Sequence, residues 1–224
     1  MQALLKVVFS GLIQLLALAA LVFIPAGSLR FWQGWALIGV FAVSVWLPSI
    51  YVQITNPSVL QRRMRGGPVA EDRTAQKWVM TGLYGSLAGM CVAGGLTHRF
   101  GWRAAPTAIC LVGDILLATG LGLVLLVVVH NNYASTTVQV ESGQRVVSTG
   151  LYGVVRHPMY TANLIMLIGL PLALGCYWGL LLAVPGVIIL MVRIRDEETL
   201  LRAELPGYTA YTSQVRYRLL PGIW

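Results

Sequence analysis

Two short polar motifs in this chain carry the residue types that do chemistry. They are Arg156-His157-Pro158-Met159-Tyr160 and Arg193-Ile194-Arg195-Asp196-Glu197-Glu198. A histidine can move a proton, an arginine fork can hold both oxygens of a carboxylate, and a glutamate can accept hydrogen bonds from a polar ligand. The mostly apolar stretch 161–192 separates the motifs and breaks at Gly175-Cys176-Tyr177-Trp178-Gly179. Two helices folded back on each other at that break bring both motifs to one membrane face. The leg from Pro158 to Gly175 amounts to about 27 Å of helix against a hydrocarbon core of about 30 Å. Each leg can therefore just cross, with Tyr177 and Trp178 reaching the far interface.

The same residues also admit purely structural roles. Arg193 with Glu197, and Glu198 with Arg202, stand four apart, and exposed helical ion pairs of that spacing contribute a few tenths of a kcal/mol. Proline is favoured in the first turn of a helix, so Pro158 can simply start one; Arg156 can snorkel at the surface, and Tyr160 can be a belt aromatic.

The elements that must position these groups follow from composition. With 224 residues, 57% hydrophobic and 11% charged, the chain is an all-α polytopic membrane bundle rather than a soluble domain. About six membrane helices are expected, the last two forming the C-terminal hairpin that carries the site. Residues 1–130 form a four-helix transmembrane region: Val7–Ile24, retained rather than cleaved as a leader; about Gly34–Ile54, kinked at Pro48; about Trp78–Leu96, where 85–89 (GSLAG) allows close packing; and about Thr107–His130. Arg30, Phe31, Trp32 and Trp35 are expected as interface anchors after the first span. Residues 131–224 form the core with the hairpin and a cytoplasmic tail, whose Tyr208, Tyr211 and Tyr217 can lie along the interface. The segment Val138–Val147 alternates too weakly to read as a sheet.

The net charge of +8 is explained by topology rather than by nucleic acid. With the amino terminus inside, thirteen lysines and arginines fall in cytoplasmic segments, against Arg30, Arg99 and Arg103 opposite, a clear positive-inside bias. Both polar motifs then face the cytoplasm. Cys91, Cys110 and Cys176 lie in or beside apolar segments without CxxC spacing and read as packing residues, not as a zinc site or disulfides. Asp114 is the acid well inside a span; an intramembrane carboxylate is a functional candidate, here on the side away from both motifs.

No P-loop, Rossmann, HExxH or GxSxG motif is present, so a cofactor would sit in a membrane-embedded site rather than a soluble α/β domain. The order Asn132-Tyr133, VVSTGLYGVVRHPMY, hairpin, RIRDEETL, PGYTAY and a final PG resembles the isoprenylcysteine carboxyl methyltransferase family and its bacterial relatives over roughly 131–224. The loop NPSVLQRRMR is similar as well, and the earlier spans fit only generally.

That resemblance implies transfer of a methyl group from S-adenosylmethionine to a carboxylate of a lipophilic or lipidated acceptor at the cytoplasmic membrane face, with membrane lipids as surroundings. Carried over by position, the donor site comprises Gln144, Arg145, Val146, Val147, Tyr152, His157, Pro158, Met159, Tyr160 and Glu197. Arg193 matches the arginine near the acceptor carboxylate, hence a catalytic and substrate-binding role. No metal is implied. The family often has histidine where Gln144 stands and a longer acidic run where Arg195-Asp196 stands, departures that bear on the acceptor. Phospholipid amine N-methyltransferases share aspects of this architecture, and amine methylation would need a base, for which His157 is the nearby histidine. A small membrane transporter or assembly factor centred on Asp114 is the non-enzymatic alternative.

Overall fold

Backbone groups in hydrocarbon must be satisfied within their own segment, and a helix does this locally. The computed structural model describes residues 2–55, 57, 74–131, 133, 140 and 143–224, and among them there is no strand. The long helices are α1 (Gln2–Ala26), α2 (Trp32–Phe41) continued through a π turn into α3 (Leu47–Thr55), α4 (Thr74–Phe100) and α5 (Thr107–His130). The hairpin follows as α6 (Pro158–Ala173) and α7 (Gly179–Glu204), and a short α8 (Tyr208–Gln214) closes the chain. Four passes, α1, α2–α3, α4 and α5, are long and apolar enough to cross a membrane. The chain is thus an integral membrane helical bundle.

The first leg of the hairpin is shorter. The 16 residues of α6 rise about 24 Å, because Gly175 turns the chain with a positive φ of 67° two residues after the helix ends. Its tip nevertheless reaches the far end of the bundle. There Ala105 N–H, between α4 and α5, donates to Gly175 O at 2.9 Å, and Thr97 Oγ1 of α4 donates to Cys176 Sγ at 3.1 Å. At the opposite, near end, Val7 of α1, Val52 of α3 and Val128 of α5 form a buried cluster against which Met159 packs. Both polar motifs therefore lie at the end that also holds the start of α1.

The tightest packing joins α5 to α6. A Cβ on Gly113 would lie 2.1 Å from Ala173 N, and one on Gly169 would lie 2.8 Å from Leu117 N, so each backbone presses directly on the other helix. In the stretch expected to allow close contact, Gly85 faces open space, but a Cβ on Gly89 would lie 3.2 Å from Leu182 Cδ1 of α7, and the Ser86 hydroxyl donates to Leu182 O at 2.6 Å. The second pass bends ahead of its proline: the helix widens into a π turn over Ala42–Trp46, just before Pro48, which relieves the crowding its ring imposes on the preceding turn. Trp32 and Trp35 are exposed as expected of anchors, whereas Phe31 is buried and stacks on His98 at 4.6 Å between centroids. All three cysteines are free and buried. The described part of Val138–Val147 has no regular structure; Arg62, Arg63, Arg65, Arg73 and Asn132 lie outside the described residues.

Candidate functional site

Three local devices bring the near-end groups together. Pro158 occupies the first turn of α6, where a missing N–H costs nothing, and His157 precedes it as the capping position. A single 3₁₀ turn, Gly150–Gly153, folds the preceding segment back under α5, where Asn131 Nδ2 donates to Tyr152 Oη at 2.9 Å. Gly207, with φ 86°, reverses the chain after α7 so that α8 returns across the end of the hairpin.

A cavity open to solvent at its mouth results. Gln144, Arg145, Val146 and Val147 line one side, Tyr152 and His157-Pro158-Met159-Tyr160 another, and Glu197 projects from α7. These are the ten residues read from the sequence as a donor site, brought together from three separate segments. The cavity also includes residues the motif reading did not single out, among them Leu201, Leu205, Tyr208 and Tyr211. The tail tyrosines expected along the interface divide: Tyr217 is exposed, but Tyr208 and Tyr211 are buried with Leu205 and Val215 against Val146 and Leu201. Tyr211 donates to Tyr152 O at 2.7 Å, and burial first of all pushes its phenol up to about 12. Tyr208 Oη is buried without a hydrogen-bond partner among the described residues. A neutral phenol of that kind in a cavity wall is a donor in want of an acceptor.

Arg193 does not line the cavity. It is 3% exposed and reaches the cavity through a chain of hydrogen bonds. Its Nε donates to Tyr160 Oη at 2.9 Å, and Tyr160 in turn donates to Glu197 Oε2 at 2.6 Å. The i,i+4 contact expected between Arg193 and Glu197 is thus bridged by a phenol from the facing helix. On its other side Arg193 Nη1 donates to Oε1 of Gln76 at 2.6 Å. Nothing in the sequence singles out Gln76 beyond its being a polar residue at the start of an apolar span.

The second acidic residue differs most from expectation. The i,i+4 contact of Glu198 with Arg202 exists at 3.8 Å, with Arg202 half exposed. The closer partners come from elsewhere: Arg156 Nε donates to Oε1 at 2.7 Å, Arg218 Nε and Nη2 lie 3.0 Å from Oε2, and His157 Nε2 lies 3.3 Å from Oε1. Arg156, expected to snorkel, is instead buried, and its Nη1 also donates to Val215 O and Arg216 O at 2.9 Å each. Burial alone would raise the Glu198 carboxyl, but the hydrogen bonds and charges of His157 and Arg156 outweigh it and hold the group at about 2. This network straps the tail onto the hairpin, while Glu197, one residue earlier, faces the cavity. Asp114 is far from both: it is buried in α5, and its Oδ1 lacks a partner among the described residues.

A family model described as phospholipid methyltransferase matches residues 108–205, which is less than half of the chain. The match takes in α5, the segment before the hairpin, and all of α6 and α7. That family shares a superfamily with the isoprenylcysteine carboxyl methyltransferases, and the match supports a membrane methyltransferase. No curated protein matches the chain.

Proposed function

We propose that the protein is an S-adenosylmethionine-dependent methyltransferase working at the cytoplasmic membrane face on a lipophilic acceptor, and that the reaction is carboxyl O-methylation. The observation that carries this reading is the convergence of Gln144–Val147, Tyr152, His157–Tyr160 and Glu197 on one cavity, linked through Tyr160 to Arg193. The residues suit such a donor. Glu197 accepts hydrogen bonds from ribose hydroxyls or an amine, Tyr208 supplies a buried phenolic donor, and Val146, Val147, Leu201 and Leu205 form an apolar wall.

When bound, S-adenosylmethionine supplies a methyl group already activated by its sulfonium. A carboxylate acceptor is already ionised, so the new C–O bond forms as the methyl–sulfur bond breaks, and no proton has to move. The chain's contribution is alignment and exclusion of water. Tyr160 fixes one oxygen of Glu197, and the planar fork of Arg193 matches a carboxylate.

The family match favours a second reading, methylation of a phospholipid amine. An amine must lose a proton, and His157 would take it; its Nε2 already faces Glu198, so the proton would be received at Nδ1. Product analysis with methyl-labelled donor in lipid vesicles separates the two. Base-labile label identifies an ester, and base-stable label in the phospholipid fraction would overturn the carboxyl reading.

Tyr160→Phe removes the hydroxyl that joins Arg193 to Glu197 and is expected to weaken donor binding by roughly tenfold or more, as for a hydrogen bond to a charged group. His157→Ala should weaken it too, though this variant also disturbs the Glu198 network. Unchanged titrations of both variants with S-adenosylmethionine would remove the donor site from this motif. Orientation is tested separately. Single cysteines placed between residues 56 and 73 and after residue 205 should resist an impermeant thiol reagent in intact cells, while one near Gly101 should react. Labelling of all three would sink the proposed topology.

A further inference from the structure

The segment after α8 ends in a hook laid against the start of α6. Tyr217 O and Arg218 O accept from Arg156 N and His157 N at 2.9 Å each, and Thr161 Oγ1 donates to Leu219 O at 2.7 Å. The chain then turns at Gly222, whose φ is 84°, and closes on itself: Arg218 N and Leu219 N donate to Trp224 O at 2.7 and 3.1 Å. From Leu219 to Trp224 no side chain is charged. Leu219 is buried, but Leu220 and Ile223 are exposed, Ile223 at 77%. The depth of the hook follows from its neighbours. Met159, in the first turn of α6, packs against Val7, Val52 and Val128, each two or three residues inside the near end of a membrane pass. Leu219, tied to Thr161 of that same turn, therefore stands where the passes leave the hydrocarbon.

We infer that this hook is a membrane-surface foot, with Leu220 and Ile223 seated in the near-end leaflet where acyl chains meet headgroups. Its backbone is prepared for that place. The N–H groups of Arg218, Leu219, Ile223 and Trp224 all find acceptors within the hook, and Pro221 has none to satisfy. Irregular chain at the edge of hydrocarbon needs such internal pairing, because lipid offers no replacement. The charge is accounted for as well. Arg218 Nη2 lies 3.0 Å from Glu198 Oε2 and its guanidinium lies over the Trp224 ring at 5.0 Å, so the hook brings no unpaired charge into the leaflet. Tyr217 and Trp224 are the aromatic types that favour this boundary, and Arg216, exposed just before the hook, has the charge that lipid phosphates attract. Because the hook accepts the N–H groups of Arg156 and His157, seating it also fixes the depth of the hairpin's start in the bilayer. No part of this placement depends on the proposed reaction.

The test is nitroxide accessibility in the full-length protein, held in nanodiscs of phosphatidylcholine and phosphatidylglycerol. One label is placed at Ile223→Cys. Ile168→Cys, exposed on α6, serves as the lipid reference, and Glu204→Cys, exposed at the end of α7, as the aqueous one. Cys91, Cys110 and Cys176 are buried, and unsubstituted protein treated alike gives the background. Oxygen concentrates in the bilayer and a nickel chelate in water, so the label at 223 should respond to oxygen more than to nickel, as the label at 168 does. Thermal midpoints report folding, and Leu220→Cys replaces the first variant should that one not fold. A nickel-dominated response like that at 204 would overturn the inference and leave the proposed function standing. Shielding from both reagents would overturn it too, by showing that protein, a second copy of this chain for example, covers the hook instead of lipid.

Discussion

Glu198→Ala should be the most damaging single substitution at the near end, lowering stability by about 3–5 kcal/mol, the range for removing one partner of a buried ion pair. The loss comes less from the bonds themselves than from what remains. Arg156 would stay buried with its charge unbalanced, and the tail segment it holds through Val215 O and Arg216 O would lose its anchor. Burial opposes ionisation of Glu198, yet His157 and Arg156 hold the folded-state pKa at about 2, below its usual 4.5. A carboxylate with a depressed folded pKa contributes stability above its unfolded value and loses it as pH falls toward the folded one. This contribution, on the order of 3 kcal/mol, is therefore fully present above about pH 5 and declines between there and pH 2. Thermal midpoints in detergent from pH 7 to pH 3 check both statements: wild type should soften steeply on acidification, and Glu198→Ala should start low and respond less. Parallel curves for the two proteins would show that the network does not hold the tail.

Glu197→Gln should leave the fold nearly untouched and weaken donor binding by roughly 1.5–3 kcal/mol, the worth of a charge-assisted hydrogen bond or slightly more. Arg193→Lys keeps the charge and retains a donor for Gln76 but loses the fork. Donor binding should therefore hold, while turnover on a carboxylate acceptor falls. The two residues are not independent, since Tyr160 accepts from one and donates to the other. Effects of residues sharing one hydrogen-bond chain are non-additive, so the double variant should differ from the sum of the singles. Calorimetry with S-adenosylmethionine beside a methyl-transfer assay reads both quantities. Equal donor affinities in wild type and both variants would reduce Arg193 and Glu197 to structural partners.

The sequence alone determined the elements and the end of the bundle at which charge gathers. Apolar runs near 20 residues can only be helices in hydrocarbon, and glycine and proline mark where they stop. A hairpin between two polar motifs must return both to one end. That His157, Tyr160 and Glu197 share one site was implied by the resemblance to the isoprenylcysteine carboxyl methyltransferase family, and the cavity contains all three. What faces what was decided by tertiary structure. In a membrane helix the lipid face and the packed face are both apolar, so hydropathy could not tell that Phe31 is buried while Trp32 is exposed, or that the contact α5–α6 is closer than anything around Gly85. Spacing along a helix finds partners three or four residues away, and so it paired Glu198 with Arg202. The stronger partners, Arg156 and Arg218, are 42 and 20 residues distant, and Gln76 meets Arg193 across 117. Contacts of that separation exist only once α4, the hairpin and the tail are packed together, because loop closure, not local geometry, brings them within reach.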